Sequence, residues 1–350
     1  MQTRKLGTSG IDVSIICLGT MNFGEQNSEA EGHQQMDYAV SRGVNFLDTA
    51  EIYAVPPKPE TQGRTEEIIG SWFQARKNRD KVILATKVAG RSMMTWLRDD
   101  KSPTRLNRAQ MTEALEKSLK RLKTDHVDLY QVHFPERPLA WGAIPTTYSS
   151  PGAEPSDMTS IEEQLGILGD FVKSGKVRHV GVSNESPWGM MTFLQASDRL
   201  GLPRIQSVQN SYNLVNRAYE SGAAEVSERE KVSLLAYSPL GQGYLTGKYR
   251  NGALPAGARK TLFNRLQRYE TKGADIAFEA YFALAAELGI SSATLALAFV
   301  NSRPFITSTI IGATTMAQLE ECLGSAEVML SADALAAIDA IHHLHMNPCP

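Results

Sequence analysis

Cysteine and aromatic residues are scarce in this chain, and neither acids nor bases dominate it. Cys17, Cys322 and Cys349 are too scattered for a disulfide framework and lack metal-type spacing, so a stapled secreted scaffold is excluded and a reducing cytoplasm is expected. With 36 basic against 38 acidic residues, there is no basic surplus to attract nucleic acid. No apolar run approaches the ~18 residues of a membrane span, and Met1-Gln2-Thr3-Arg4-Lys5-Leu6-Gly7 holds no apolar signal core, so neither a membrane partner nor secretion is expected. No G-x-G-x-x-G follows a strand pattern, and Gly241-Gln242-Gly243-Tyr244-Leu245-Thr246-Gly247-Lys248 lacks P-loop spacing. A Rossmann-type nucleotide fold is therefore unsupported.

What is present is alternation. Short β-branched runs at 14–18, 44–47, 82–86, 127–132, 177–182, 205–208, 232–236 and 305–311 are separated by helical stretches near 28–42, 64–77, 108–123, 160–174, 187–200 and 216–230, with 273–302 and 315–328 framing the last run. In 108–123, Met111, Leu115, Leu119 and Leu122 recur at helical spacing among Glu113, Glu116, Lys117 and Lys120. Eight such units predict an α/β fold, a (β/α)8 TIM barrel, with residues 1–350 as one domain. Residues 1–13 turn at Thr8-Ser9-Gly10 and read as an N-terminal β-hairpin plugging the bottom. Three long loops, 54–63, 134–159 and 241–272, fall on the carboxyl-end rim, where lids and binding segments belong.

The strand at 44–47 ends in Asp48, and a buried carboxylate there needs a cationic partner. The predicted strand ends are Gly19-Thr20, Asp48, Lys87, His133, Ser183-Asn184, Gln209, Tyr237-Ser238 and Gly312. In a barrel these converge, which brings Asp48, Lys87 and His133 into one pocket beside Tyr53. Each alone has a plainer reading as a helix cap, a solvated lysine or a hydrogen-bonded structural histidine. Lys81 and Arg79, at the amino end of the third strand, are expected to be dispensable.

Arg4-Lys5-Leu6-Gly7, Leu18-Gly19-Thr20-Met21, Asp48-Thr49-Ala50-Glu51-Ile52-Tyr53, Gly181-Val182-Ser183-Asn184 and Ile311-Gly312-Ala313-Thr314 together resemble the aldo-keto reductases along essentially the whole chain. Asn27-Ser28-Glu29-Ala30, the proline-rich 55–63 and Gly257-Ala258-Arg259 look most like the bacterial Tas-like branch. The resemblance implies NADPH-dependent reduction of a small-molecule carbonyl substrate, with Asp48, Tyr53, Lys87 and His133 as catalytic tetrad. It also implies cofactor contacts from Gly19, Thr20, Met21, Asp48, Ser183, Asn184, Gln209, Tyr237, Ser238, Pro239, Leu240, Gly243, Lys248, Arg259, Gly312, Thr314, Gln318 and Glu321. The substrate end should be framed by Met21, Phe23, Tyr53, His133, Phe134 and Trp141.

Hydride addition leaves negative charge on the carbonyl oxygen, and Tyr53 is the candidate acid that relieves it. A free phenol has a pKa of about 10. Lys87, held charged by Asp48, is expected to lower it. The rival expectation is a cofactor-binding regulatory or partner protein with slow chemistry. His342, His345 and Cys349 are not read as a metal site, since a proline-ended tail supplies no defined ligand set. That tail is expected to pack over the barrel or near the rim, and Cys322 to be a small buried filler. Oligomeric state is left open.

Overall fold

The computed structural model of the chain describes residues 1–139, 150, 152–265 and 267–350, so Trp141 lies outside the described residues. Two short antiparallel strands, β1 (Thr3–Lys5) and β2 (Asp12–Ser14), come first. Eight parallel strands follow: β3 (Ile16–Gly19), β4 (Phe46–Asp48), β5 (Ile83–Val88), β6 (Val127–Val132), β7 (Val177–Ser183), β8 (Ile205–Ser211), β9 (Ser233–Tyr237) and β10 (Ile306–Ile311). They pair in chain order and close through β10 onto β3, which is the expected (β/α)8 barrel.

Strand alternation sorts the side chains into layers. Cys17, Phe46, Ala85, Leu129, Leu235 and Ile310 form an interior cluster with Leu6 and Val13 of the hairpin. Two residues beyond Phe46, Ala85 and Leu129 stand Asp48, Lys87 and Gln131, which the period of two sends to the same inner face. The pleat therefore places an apolar plug below and a polar layer above. The hairpin seals the bottom as expected. The Gly7 amide donates to Ser233 Oγ at 2.7 Å, and the Arg4 guanidinium donates to the Asn301 carbonyl at 2.7 Å. Gly7 has φ +55°, and a Cβ there would lie 2.6 Å from the Gln206 carbonyl oxygen, so this contact needs glycine.

The helices cover the outside: α1 (Glu29–Ser41), α2 (Arg64–Arg76), α3 (Arg108–Leu122), α4 (Ile161–Lys173), α5 (Pro187–Leu200), α6 (Ala223–Glu230), α7 (Arg259–Phe263), α8 (Ala274–Glu287), α9 (Ser292–Ser302), α10 (Met316–Gly324) and α11 (Ala332–Leu344). Ser28 with Glu31 and Ser160 with Glu163 form capping boxes that start α1 and α4. The stripe anticipated in α3 is buried at Met111, Leu115, Leu119 and Leu122.

Three stretches differ from expectation. The 273–302 run is two helices, α8 and α9, bent by 94° where Gly289 (φ +67°) breaks the first and Ser291 caps the second. No single described helix is long and apolar enough to cross a membrane. The 216–230 run is a short 3-10 turn, Ala218–Ser221, followed by α6. Beyond 328, where no further helix is expected, Ser331 caps α11, which reaches Leu344. Beyond it the buried Cys349 donates its amide to the Val215 carbonyl at 3.0 Å, so the tail packs on the barrel as anticipated.

Lys81 is exposed, but Arg79 corrects the expectation that it is dispensable. Its guanidinium pairs with the buried Asp128 at 2.8 Å and donates to the carbonyls of Val82 and His126 at 2.9 and 3.0 Å. Asp128 in turn accepts from the Leu84 amide at 2.9 Å, which ties the amino ends of β5 and β6 together. Arg79→Ala should lower unfolding free energy by about 2 kcal/mol, short of the about 3–5 kcal/mol of a fully buried pair because Arg79 is partly exposed, as urea titration would measure. Unchanged stability would mean that Arg178 and His126 alone satisfy Asp128.

Candidate active site

The polar upper layer of the barrel is built around one buried cation. Lys87 is fully buried, and its ammonium donates to Asp48 Oδ2 at 2.6 Å and to the Thr49 carbonyl at 2.7 Å. The other carboxylate oxygen, Asp48 Oδ1, accepts from Gln209 Nε2 at 2.8 Å and Gln131 Nε2 at 3.2 Å. Burial works against the Lys87 charge, but Asp48 and Tyr53 outweigh it and raise its pKa above the ordinary lysine value. The cationic partner sought for Asp48 from the sequence is therefore Lys87.

Tyr53 is held at the lip of this layer. Its ring centroid lies 5.1 Å from Lys87 Nζ and 5.6 Å from the His133 ring, edge-on at 83°. Burial pushes the phenol above its ordinary value, and Lys87 opposes that rise without overcoming it. The expected net lowering is corrected: desolvation exceeds the pull of one ammonium whose field Asp48 partly cancels. At neutral pH the phenol keeps its proton. His133 is pushed well below its ordinary value, first by burial and then by Lys87, so its ring is neutral. Among the described residues, His133 Nδ1 is buried without a hydrogen-bond partner.

Ser183, Asn184 and Tyr237 form a connected chain on the opposite wall. Tyr237 donates to Asn184 Oδ1 at 2.7 Å, Asn184 Nδ2 donates to the His133 carbonyl at 2.8 Å, and Ser183 Oγ donates to the Gln209 carbonyl at 2.8 Å. Asn184 and Ser238 sit in the left-handed region, at φ +53° and +55°. Thr20 is buried and donates to the Asp48 carbonyl at 2.8 Å. Gly19 allows close approach of β3 to β10, since a Cβ there would lie 2.9 Å from the Ile311 carbonyl oxygen.

Pro239 is buried, and Leu240 packs against the main core. Around Gly243 and α7 the wall is basic. Lys248 and Arg259 are half-buried, and neither has a carboxylate partner among the described residues. Burial and mutual repulsion hold the Lys248 ammonium below its ordinary value. Arg259 donates to Asn22 Oδ1 at 3.2 Å. Past Gly312, Gln318 Oε1 accepts from the Thr314 amide at 2.9 Å, while Glu321 accepts from Ser291 Oγ at 2.6 Å. Cys322 is buried, as expected of a filler.

On the substrate side, Met21 is half-buried, and its carbonyl accepts from the Val55 amide at 3.0 Å. Tyr53, Phe134, Met94 and Trp96 form an apolar wall over Ala50, Ile52, Ala89 and Leu97. Phe23 does not join them. It is 1% exposed and turned into the core, where a Cβ on Gly32 of α1 would lie 3.2 Å from its ring. Met94 and Trp96 were missed because residues 89–107, between β5 and α3, were not recognised as a rim loop; their length and the Met93-Met94-Thr95-Trp96 run carry the signal. Gln131 was missed because it precedes its strand end by one residue, although it shares the pleat of Asp48 and Lys87. A concavity of about 770 Å³ bearing Lys77, Arg79 and Asp128 lies at the amino end of the barrel, away from these groups. Among the described residues, no group of three His, Cys, Asp or Glu side chains can hold a metal ion.

This is the architecture of a barrel enzyme that gathers polar groups at the carboxyl ends of its strands. The model of the Aldo/keto reductase family matches residues 15–343, and the chain belongs to that family, which supports an oxidoreductase activity. It is 48% identical to Protein tas of Escherichia coli (strain K12) over the whole of both chains, within the Tas-like branch. It is 33% identical to the uncharacterized oxidoreductase YrpG of Bacillus subtilis (strain 168), over 97% of this chain and 96% of that one. A probable voltage-gated potassium channel subunit beta of Arabidopsis thaliana is 30% identical, over 94% and 92%.

The lowered His133 pKa sets a pH dependence. The folded protein binds its proton less readily than the unfolded chain, whose imidazole titrates near 6.5. The stability gained from the neutral ring is thus complete above that value and is lost as pH falls toward the folded pKa. Between about pH 7 and pH 5, wild type should lose more unfolding free energy than His133→Gln in parallel urea titrations. A difference that does not change with pH would show that the ring is not held neutral.

Proposed function

We propose that the chain, as one barrel unit of residues 1–350, reduces aldehydes and ketones to alcohols with NADPH. The observation that carries this reading is the fully buried Lys87–Asp48 pair set beneath a protonated Tyr53 and beside a neutral His133. When bound, the cofactor supplies the hydride. Tyr53 donates its proton to the carbonyl oxygen as charge develops there, and the Lys87 ammonium steadies the phenolate left behind. Asp48 keeps Lys87 charged. His133, neutral and with Nδ1 without a hydrogen-bond partner among the described residues, orients the carbonyl oxygen between itself and Tyr53.

The residues present fit the cofactor. Lys248 and Arg259 are cations without carboxylate partners among the described residues, which suits phosphate. Tyr237 offers a ring face to the nicotinamide, and Ser183 and Asn184 offer hydrogen-bonding groups to its carboxamide. Gln209 has its amide nitrogen committed to Asp48, so its contribution is to the charge network beneath the ring. Gly312 and Thr314, before the N-terminus of α10, would sit near the adenosine phosphate. Met21 and Phe134 leave an apolar mouth suited to an uncharged carbonyl.

A second reading follows from the relative named as a channel beta subunit: a cofactor-binding partner protein with slow chemistry. Purified protein incubated with NADPH and a panel of aldehydes, ketones and quinones, followed by loss of reduced-cofactor absorbance, separates the two. Tyr53→Phe should retain NADPH binding and lose nearly all aldehyde turnover, about 100-fold or more. Equal turnover in that variant would remove Tyr53 from the chemistry. Arg259→Ala should weaken NADPH by about tenfold and NADH much less, as fluorescence titration would report. Unchanged affinity for both cofactors would sink the phosphate assignment.

A further inference from the structure

Behind the active-site layer lies a second buried ion pair that the reaction as proposed does not use. Glu51 and Arg98 are 1% exposed each, and the guanidinium grips both carboxylate oxygens at 2.8 and 3.0 Å. Arg98 Nε is held by Gln110 Oε1 of α3 at 3.2 Å. Arg98 also donates to the carbonyl of Leu97, which lies in the floor beneath Tyr53, Phe134, Met94 and Trp96, at 3.2 Å. The buried Tyr130 phenol feels this pair together with Glu66 and Arg121, which are bound to each other at 2.7 Å.

Glu51 is nevertheless wired to both halves of the site. Its amide donates to the Lys87 carbonyl at 3.2 Å, and its Oε1 accepts from the Ala89 amide at 2.8 Å, so it clasps the backbone on either side of Val88, immediately after Lys87 at the carboxyl end of β5. Its carbonyl accepts from Gln62 Nε2 at 2.8 Å, which anchors the proline-rich 54–63 segment. Two residues on is Tyr53, whose amide closes a turn onto the Ala50 carbonyl at 3.1 Å and whose carbonyl accepts from the Gly63 amide at 2.7 Å. The turn bearing the phenol and the strand bearing the ammonium therefore share one fixed point, and Arg98 holds that point.

We infer that the Glu51–Arg98 pair is a positioning device that sets the Tyr53 phenol against the Lys87 ammonium. This rests on the reading of Tyr53 as the proton donor. A misplacement of about 1 Å between reacting groups costs about 100-fold in rate, so a rigid buried clamp two residues from the acid has a direct kinetic consequence. A fold brace alone would affect stability only. Replacing both members of a buried ion pair by neutral groups of similar volume is often neutral for stability, which lets the two roles be separated.

The test uses Glu51→Gln, Arg98→Lys and the double variant Glu51→Gln with Arg98→Met in the full chain. Aldehyde turnover, NADPH affinity, thermal midpoint and the pH profile of kcat are measured on each. For each variant that folds, kcat should fall about 10- to 100-fold, while KM and NADPH Kd stay within about threefold. The alkaline limb of kcat should move to higher pH, because a displaced phenol feels less of Lys87. The double variant should recover the thermal midpoint without recovering kcat. Wild-type kcat and pH profile in any folded variant would overturn the inference, as would failure of all three to fold, which would make the pair a brace. If Tyr53→Phe kept its turnover, the underlying reading would fail instead; loss in Tyr53→Phe with normal Glu51→Gln removes only the positioning role.

Discussion

A lysine ammonium with no access to solvent is the constraint on which the upper half of this barrel depends. Lys87 can stay charged only because Asp48 and the Thr49 carbonyl take its hydrogen bonds, and Asp48 is in turn satisfied by two glutamine amides from β6 and β8. Removing one member of a buried pair costs about 3–5 kcal/mol, because the other charge is left without compensation. Four strands, β4, β5, β6 and β8, contribute to this network, so the ionised Lys87 depends on their being brought together in the barrel. The same field acts on Tyr53 and His133, holding back the rise of the phenol and adding to the fall of the imidazole.

Around that centre, the loops divide the work by charge. On one side the 54–63 segment folds back on the rim, with Val55 bonded to Met21 and Lys58 paired with Glu25 at 2.6 Å. Next to it the 89–107 segment lays Met94 and Trp96 beside Tyr53 and sends Arg98 beneath. Across the rim, Lys248 and Arg259 stand as cations without carboxylate partners among the described residues, so one wall is basic and the other apolar. Gly90 marks where the 89–107 segment presses on the chain just after β6, since a Cβ there would lie 1.9 Å from the Phe134 carbonyl oxygen.

Much of this was legible in the chain itself. Alternating β-branched runs and amphipathic stretches determined eight βα units, and the residues ending those runs included Asp48, Lys87 and His133, because each strand's exit is a local feature. What the sequence could not decide were the quantities and partners that depend on distance in space. Phe23 adjoins the Leu18-Gly19-Thr20-Met21 stretch yet turns into the core. Arg79 was expected to be dispensable and is an anchor for Asp128. The Tyr53 phenol is raised, because desolvation and the Asp48 charge together outweigh Lys87. Gln131 and Arg98 join the site only when register sets one beside Asp48 and a long loop carries the other beneath Glu51. Periodicity and strand ends are written within about ten residues of chain, whereas burial, pairing and the balance of fields are set by closure of the barrel across three hundred.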